Sequence, residues 1–160
     1  MDELAVRRAK KLLTAGLDSV KRGDVATALT QFKASAQNNA SADAYTYWGW
    51  MEHKQGNTTR AIELCQRAIE LDPKFGNPYN DIGSYKIEQG DLDGAIVWLE
   101  QALLAERYEP RQYPHINLGR VYLAKGFPMR ALKHFRKALE LDPQNPEVLK
   151  TLEDILNSLN

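Results

Sequence analysis

One cysteine, Cys65, is all the chain has in 160 residues, so it forms no internal disulfide and no cysteine-based metal site. Histidine is also scarce. His53, His115 and His134 stand 62 and 19 residues apart, outside the short spacings that let ligands converge on a metal. The ten glycines never cluster into a phosphate-cradling loop. Neither charge prevails, with 21 lysines and arginines against 21 aspartates and glutamates, which removes the basic footprint of a nucleic-acid binder. No apolar run approaches the roughly 18 residues needed to span a bilayer. Leu12 to Leu17 is too short, and too polar at its flanks, for a secretory core. These absences lead us to expect a protein that is not an enzyme and has no cofactor or metal. They also give the expectation of no nucleic-acid or membrane partner and a cytoplasmic location.

What is present is a repeat. Gly49, Gly56, Ala61 and Ala68 recur 34 residues later as Gly83, Gly90, Ala95 and Ala102. They recur 36 residues further on as Gly119, Gly126, Ala131 and Ala138, and 33 residues earlier as Gly16, Gly23, Ala28 and Ser35. A period of this length signals stacked helical hairpins, each leaving an apolar face that only its neighbour covers. Two helices approach closely where side chains are small, so Gly49 and Ala61 mark a crossing. Gly56, Gly90 and Gly126 fall where a helix ends in a left-handed cap. Pro73 and Pro143 follow Glu-Leu-Asp and stop the second helices.

Helices are expected over about 2–22, 25–38, 42–55, 58–71, 76–89, 92–105, 112–125, 128–141 and 146–158. Ser41 is placed as an N-cap, and Asn77-Pro78 and Asn145-Pro146 read as cap followed by proline. The loop from Glu106 to Arg111 carries two extra residues and has Arg107 where other units have proline. Cys65 falls where other units have Phe32, Leu99 and Phe135, which makes it a buried core thiol. His115 shares its position with Tyr45 and Tyr79 and reads as a packing residue, while His134 reads as solvent-facing.

The phased set Trp48-Gly49, Gly56, Ala61, Ala68 and Pro73, with its counterparts in the other units, resembles the tetratricopeptide repeat family over roughly residues 9 to 145. The resemblance implies an all-α fold, a right-handed α-solenoid of four helical hairpins plus a C-terminal capping helix. It implies a single domain over 1–160, with repeats at about 9–41, 42–75, 76–111 and 112–145 and the cap at 146–158. In that family the first helices of successive units line a concave groove that holds a peptide or a partner helix. Carried over position by position, the groove takes Tyr47, Trp50 and His53 from the second unit, with Thr46 and Lys54 beside them. The third unit gives Asn80, Asp81 and Ser84, and the fourth gives Tyr113, Asn117 and Arg120. Lys10, Leu13, Thr14, Leu17 and Lys21 would extend it into the first unit.

Asn80 and Asn117 can each donate to and accept from a ligand backbone, or be solvated surface residues. Arg120 would pair with a ligand carboxylate or with Asp81 or Glu88. The Lys-Asn pair with which chaperone co-factors of this family grip a C-terminal carboxylate is replaced by Leu13/Leu17, Thr46/Trp50 and Asn80/Ser84, so that clamp is not expected. The function implied is an adaptor that binds an extended or helical segment of a partner protein. The alternative is a self-associating scaffold, a homo-oligomer with Trp98 supplying a convex apolar patch.

Overall fold

The computed structural model describes residues 2–108 and 110–159, so Glu109 of the long loop and the expected domain's first and last residues lie outside the described residues. The described residues form nine helices. They are α1 (Glu3–Lys21), α2 (Val25–Asn38), α3 (Ala42–Lys54), α4 (Thr58–Leu71), α5 (Asn77–Glu88), α6 (Leu92–Leu104), α7 (Gln112–Ala124), α8 (Pro128–Leu141) and α9 (Pro146–Ser158). Each odd helix packs on the next to make a hairpin, and each hairpin packs on its successor through α2·α3, α4·α5, α6·α7 and α8·α9. The odd helices α3, α5 and α7 also touch one another in series. The result is an all-α solenoid.

Four turns are built alike. Gly23, Gly56, Gly90 and Gly126 have φ of 76°, 90°, 78° and 78°, a conformation that residues with a Cβ rarely adopt. Asp24 and Asp91 then cap the next helix through the amides of Thr27 and Gly94. Ser41 caps α3 through Ala44 and Asn145 caps α9 through Val148.

The crossings are tight. Ala28, Ala61, Ala95 and Ala131 are wholly buried. A Cβ added to Gly49 would lie 3.0 Å from the Ala61 carbonyl oxygen. In the other hairpins a larger residue presses harder. A Cβ at Gly16, Gly83 or Gly119 would lie 2.4, 2.6 and 2.6 Å from Phe32, Leu99 and Phe135. The glycine therefore makes room for the side chain at the Phe32 position as much as for the alanine. Cys65 occupies that position in the second hairpin, where it is fully buried and its thiol is pushed well above its ordinary range by burial.

Four expectations need correction. Asn77 is the first residue of α5 rather than its cap; Gly76 holds the cap position, with φ −79° and ψ −25°. Gly76 is drawn inward because its amide donates to the Arg107 carbonyl at 2.8 Å and its α-carbon sits under Tyr108. His134 is half-buried, stacked on Tyr122 with ring centroids 5.5 Å apart and with its Nδ1 3.3 Å from Nδ1 of His115. Desolvation first, and the neighbouring His115 second, push His134 down to about 4; desolvation also lowers His115. Trp98 is half-buried against Tyr79 and the core around Ile82, so it supplies no convex patch; Val97 and Leu104 are the exposed apolar residues of α6. Arg120, finally, pairs with neither Asp81 nor Glu88, for reasons of geometry described below.

The extra residues after α6 have a structural use. Arg107 N–H donates to the Lys74 carbonyl at 2.9 Å, which with the Gly76 bond makes a short parallel bridge between two inter-repeat loops. Its guanidinium lies 3.8 Å over the Phe75 ring and reaches Asp72 at 2.9 Å and Asp43 at 3.3 Å. The second and third hairpins are thus tied along one edge.

Candidate functional site

Because α3, α5 and α7 lie side by side, equivalent faces of three hairpins converge on one groove of about 670 Å³. Trp50 and His53 reach it from α3, Asn80, Asp81 and Ser84 from α5, and Tyr113, Asn117 and Arg120 from α7. Tyr47 lies next door. It stacks on Phe32 at 5.2 Å and lines a smaller hollow of about 190 Å³ together with Phe75 and Tyr108. Trp50, Asn80, Asp81 and Tyr113 line both spaces. The structure therefore gathers eight of the nine sequence-derived residues in the groove and puts the ninth in the adjoining hollow. The first hairpin does not reach either space, and Leu13 and Leu17 instead pack against the core around Phe32.

A hydrogen-bonded ladder runs along the groove wall. Asn117 Nδ2 donates to Asn80 Oδ1 at 3.0 Å, and both side chains are nearly buried. Arg120 donates to Asn117 Oδ1 at 3.0 Å and forms an ion pair with Glu147 in the first turn of α9. Arg120 thus reaches forward along the stack, toward the acidic residue placed at a helix N-terminus, rather than back to α5. The two asparagines turn their amides to each other and join α5 to α7.

The second wall is aromatic and charged. His53 bonds Glu88 through Nε2 at 3.1 Å and Thr58 through Nδ1 at 3.1 Å. Its ring stacks on Tyr85 with centroids 4.2 Å apart. Lys54 lies over the Trp50 ring at 5.2 Å. Tyr85 is 3% exposed, and its hydroxyl has no hydrogen-bond partner among the described residues. Asp81 is half-buried where groove and hollow meet, and desolvation pushes its carboxyl up to about 7 against a hydrogen bond from the Asn80 side chain. Desolvation, reinforced by the Asp81 charge, also raises the phenols of Tyr47, Tyr85 and Tyr108; for Tyr47 the Asp43 charge adds to this.

Glu88, weighed from the sequence only as a partner for Arg120 and a groove charge, bonds His53 instead. Sequence reading missed Tyr85, Thr58 and Tyr108; Tyr85 was within reach, since Asp81 and Tyr85 are spaced i, i+4 on one helical face. Tyr108 was not, because only the fold of the long loop brings it there. Among the described residues no group of histidine, cysteine, aspartate and glutamate side chains is placed to hold a metal ion, and no helix is long and apolar enough to cross a membrane.

Stacked hairpins with a trough lined by their first helices define a repeat solenoid of the protein-interaction class. Tetratricopeptide repeat models match residues 13–74, 52–114 and 113–145, and the chain belongs to that family. It is 38% identical over 99 residues to a cell division cycle protein 27 homolog of Caenorhabditis elegans, covering 61% of this chain and 12% of that protein. It is 26% identical over 142 residues to the type IV pilus assembly protein PilF of Pseudomonas aeruginosa, covering 88% of this chain and 56% of that protein. The solved structure of Pseudomonas aeruginosa PilF superposes with a TM-score of 0.88 at 24% identity, covering 96% of this chain and 70% of that one. The chain spans between 12% and 56% of the length of these curated relatives. Members of the family are in general non-catalytic interaction modules, and a protein-interaction or scaffold role is what this chain shares with them.

Proposed function

We propose that the chain is an adaptor that holds an extended segment of a partner protein in the groove between α3, α5 and α7. The observation that carries this reading is the convergence of Trp50 and Tyr113 from two different hairpins on one groove with a hydrogen-bonded polar wall. Tyr113 is 48% exposed, and large aromatics of this kind supply much of the energy at protein interfaces. The experiment is selection of a randomised dodecapeptide library on the folded protein. Selected peptides should bind about tenfold or more weakly to Trp50→Ala and Tyr113→Ala, equivalent to ~1.4 kcal/mol, with melting close to wild type. Peptides indifferent to both substitutions place recognition elsewhere.

A self-associating scaffold is the second reading, supported by the far end of the stack. Val148 and Ile155 of α9 are buried against the fourth hairpin, whereas Leu149, Leu156 and Leu159 are 44%, 45% and 49% exposed. Light scattering over a wide concentration range tests it, and a strict monomer throughout ends this reading.

A further inference from the structure

We infer that the hollow beside the groove is a subsite for a cationic side chain, a lysine or arginine carried by the bound segment. This deepens the proposed function and rests on it. Charge and polarity are both left unmatched at this end of the groove. Around the groove most titratable groups already have partners on the protein: Glu88 with His53, Arg120 with Glu147, and Arg107 with Asp43 and Asp72. Lys54 remains exposed at the rim, resting on the Trp50 ring. Asp81 differs from all of these. It is half-buried where the two spaces meet, its partner is the neutral Asn80 amide, and among the described residues no cation is within ion-pair distance of it.

The surroundings suit a cation rather than a neutral donor. Tyr47, Trp50, Phe75, Tyr108 and Tyr113 line the hollow with Asp81. One face of Phe75 is taken by Arg107, one of Trp50 by Lys54 and one of Tyr47 by Phe32. Among the described residues this leaves Tyr108 and Tyr113 as the rings no other side chain is stacked on, and aromatic faces attract cations through their quadrupoles. The Asp81 carboxylate in the same lining supplies the counter-charge. The unpartnered Tyr85 hydroxyl, one turn of α5 beyond Asp81, lines the larger groove and not the hollow itself. On the groove side of the Asp81 carboxyl it adds an oxygen that can accept from an ammonium or guanidinium N–H. At about 190 Å³ the hollow has room for the end of a lysine or arginine side chain but not for a folded element.

The test uses the peptides from the library selection and binding measured by fluorescence anisotropy. Selected sequences should share one lysine or arginine at a fixed place. Replacing that residue by norleucine or citrulline should weaken binding about tenfold. Asp81→Asn should weaken the parent peptide to the same degree and leave the norleucine peptide unaffected, since the two changes remove one interaction. Peptides that bind the groove without a basic residue, or a norleucine peptide that loses as much again in Asp81→Asn, overturn the subsite and leave the adaptor reading standing. A library that yields no binder sensitive to Trp50→Ala removes both. The peptide substitutions do not depend on how the Asp81 variant folds, so the inference is tested even if that variant fails.

Discussion

The inside of each hairpin and the trough between hairpins follow opposite rules. Inside, the same crossing is made four times: a glycine on the first helix lies against the second helix beside a wholly buried alanine, pressed by the residue at the Phe32 position in three hairpins and by the Ala61 carbonyl in the second. In the trough nothing repeats. The position that is Trp50 in the second hairpin is Ser84 in the third and Arg120 in the fourth, each 34 or 36 residues on. Repetition serves the stack, and departure from it gives the groove its chemistry. On the proposed function, that separation should make stability and recognition independently breakable.

The strongest way to break the comparison is Phe135→Ala. The ring is 2% exposed and seated on Gly119, so its loss should cost about 3–5 kcal/mol in urea unfolding. Trp50→Ala, in the trough, should cost about 1 kcal/mol while abolishing most peptide affinity. Equal losses of stability from the two would show that the trough residues also hold the stack.

Next in size is Arg107→Ala, which removes a cation over the Phe75 ring and contacts to two aspartates. About 1–2 kcal/mol is expected, because the group is partly exposed. The loss should be local, with faster hydrogen exchange at the Gly76 amide. Unchanged exchange there would mean the two loops hold without the side chain.

Asp81 gives a smaller effect of predictable sign. Its folded pKa, about 7, is raised above the unfolded value, so the native state binds more protons between about 4 and 7 and stability falls as pH rises through that window. Asp81→Asn should therefore be more stable than wild type at pH 8 and equal to it near pH 4. A carboxylate that is only half-buried keeps part of its solvation, so the gain should be roughly 1 kcal/mol rather than the full value of the shift. The histidine pair acts the other way and least. His134, depressed to about 4, must take up a proton on unfolding, so stability is lost as pH falls from about 6.5 toward 4. His134→Gln should flatten that decline by roughly 1–2 °C in Tm. An identical acid limb in the variant would assign the decline to other groups.

The sequence made the hairpins legible because the physics of close approach admits few residues. Gly16, Gly83 and Gly119 can be little else beneath the side chains they face, nor Gly49 against the Ala61 carbonyl. The groove was legible as a set of positions for the same reason, since equivalent places on equivalent helices share one side of the stack. What those side chains do was not. Asn80 and Asn117 are as compatible with a solvated surface as with the mutual bond they form, and Arg120 finds Glu147 only once α9 is in place. His134 looked exposed because its burial depends on Tyr122 and His115 from the preceding helix. Arg107 stood out as a departure, but nothing local indicated that it would pair with a loop more than thirty residues earlier.

The ladder from Asn80 through Asn117 and Arg120 to Glu147 has a mechanical consequence. Its buried Asn80–Asn117 bond ties α5 to α7 by a hydrogen-bond length rather than by deformable apolar packing alone, so these two walls of the trough cannot slide apart without breaking a polar bond. The exposed Arg120–Glu147 pair adds a weaker link to α9. If the chain is the adaptor proposed above, a bound segment would meet this spacing as it stands, and the ordering cost of association would fall on that segment, favouring sequences already bent to match.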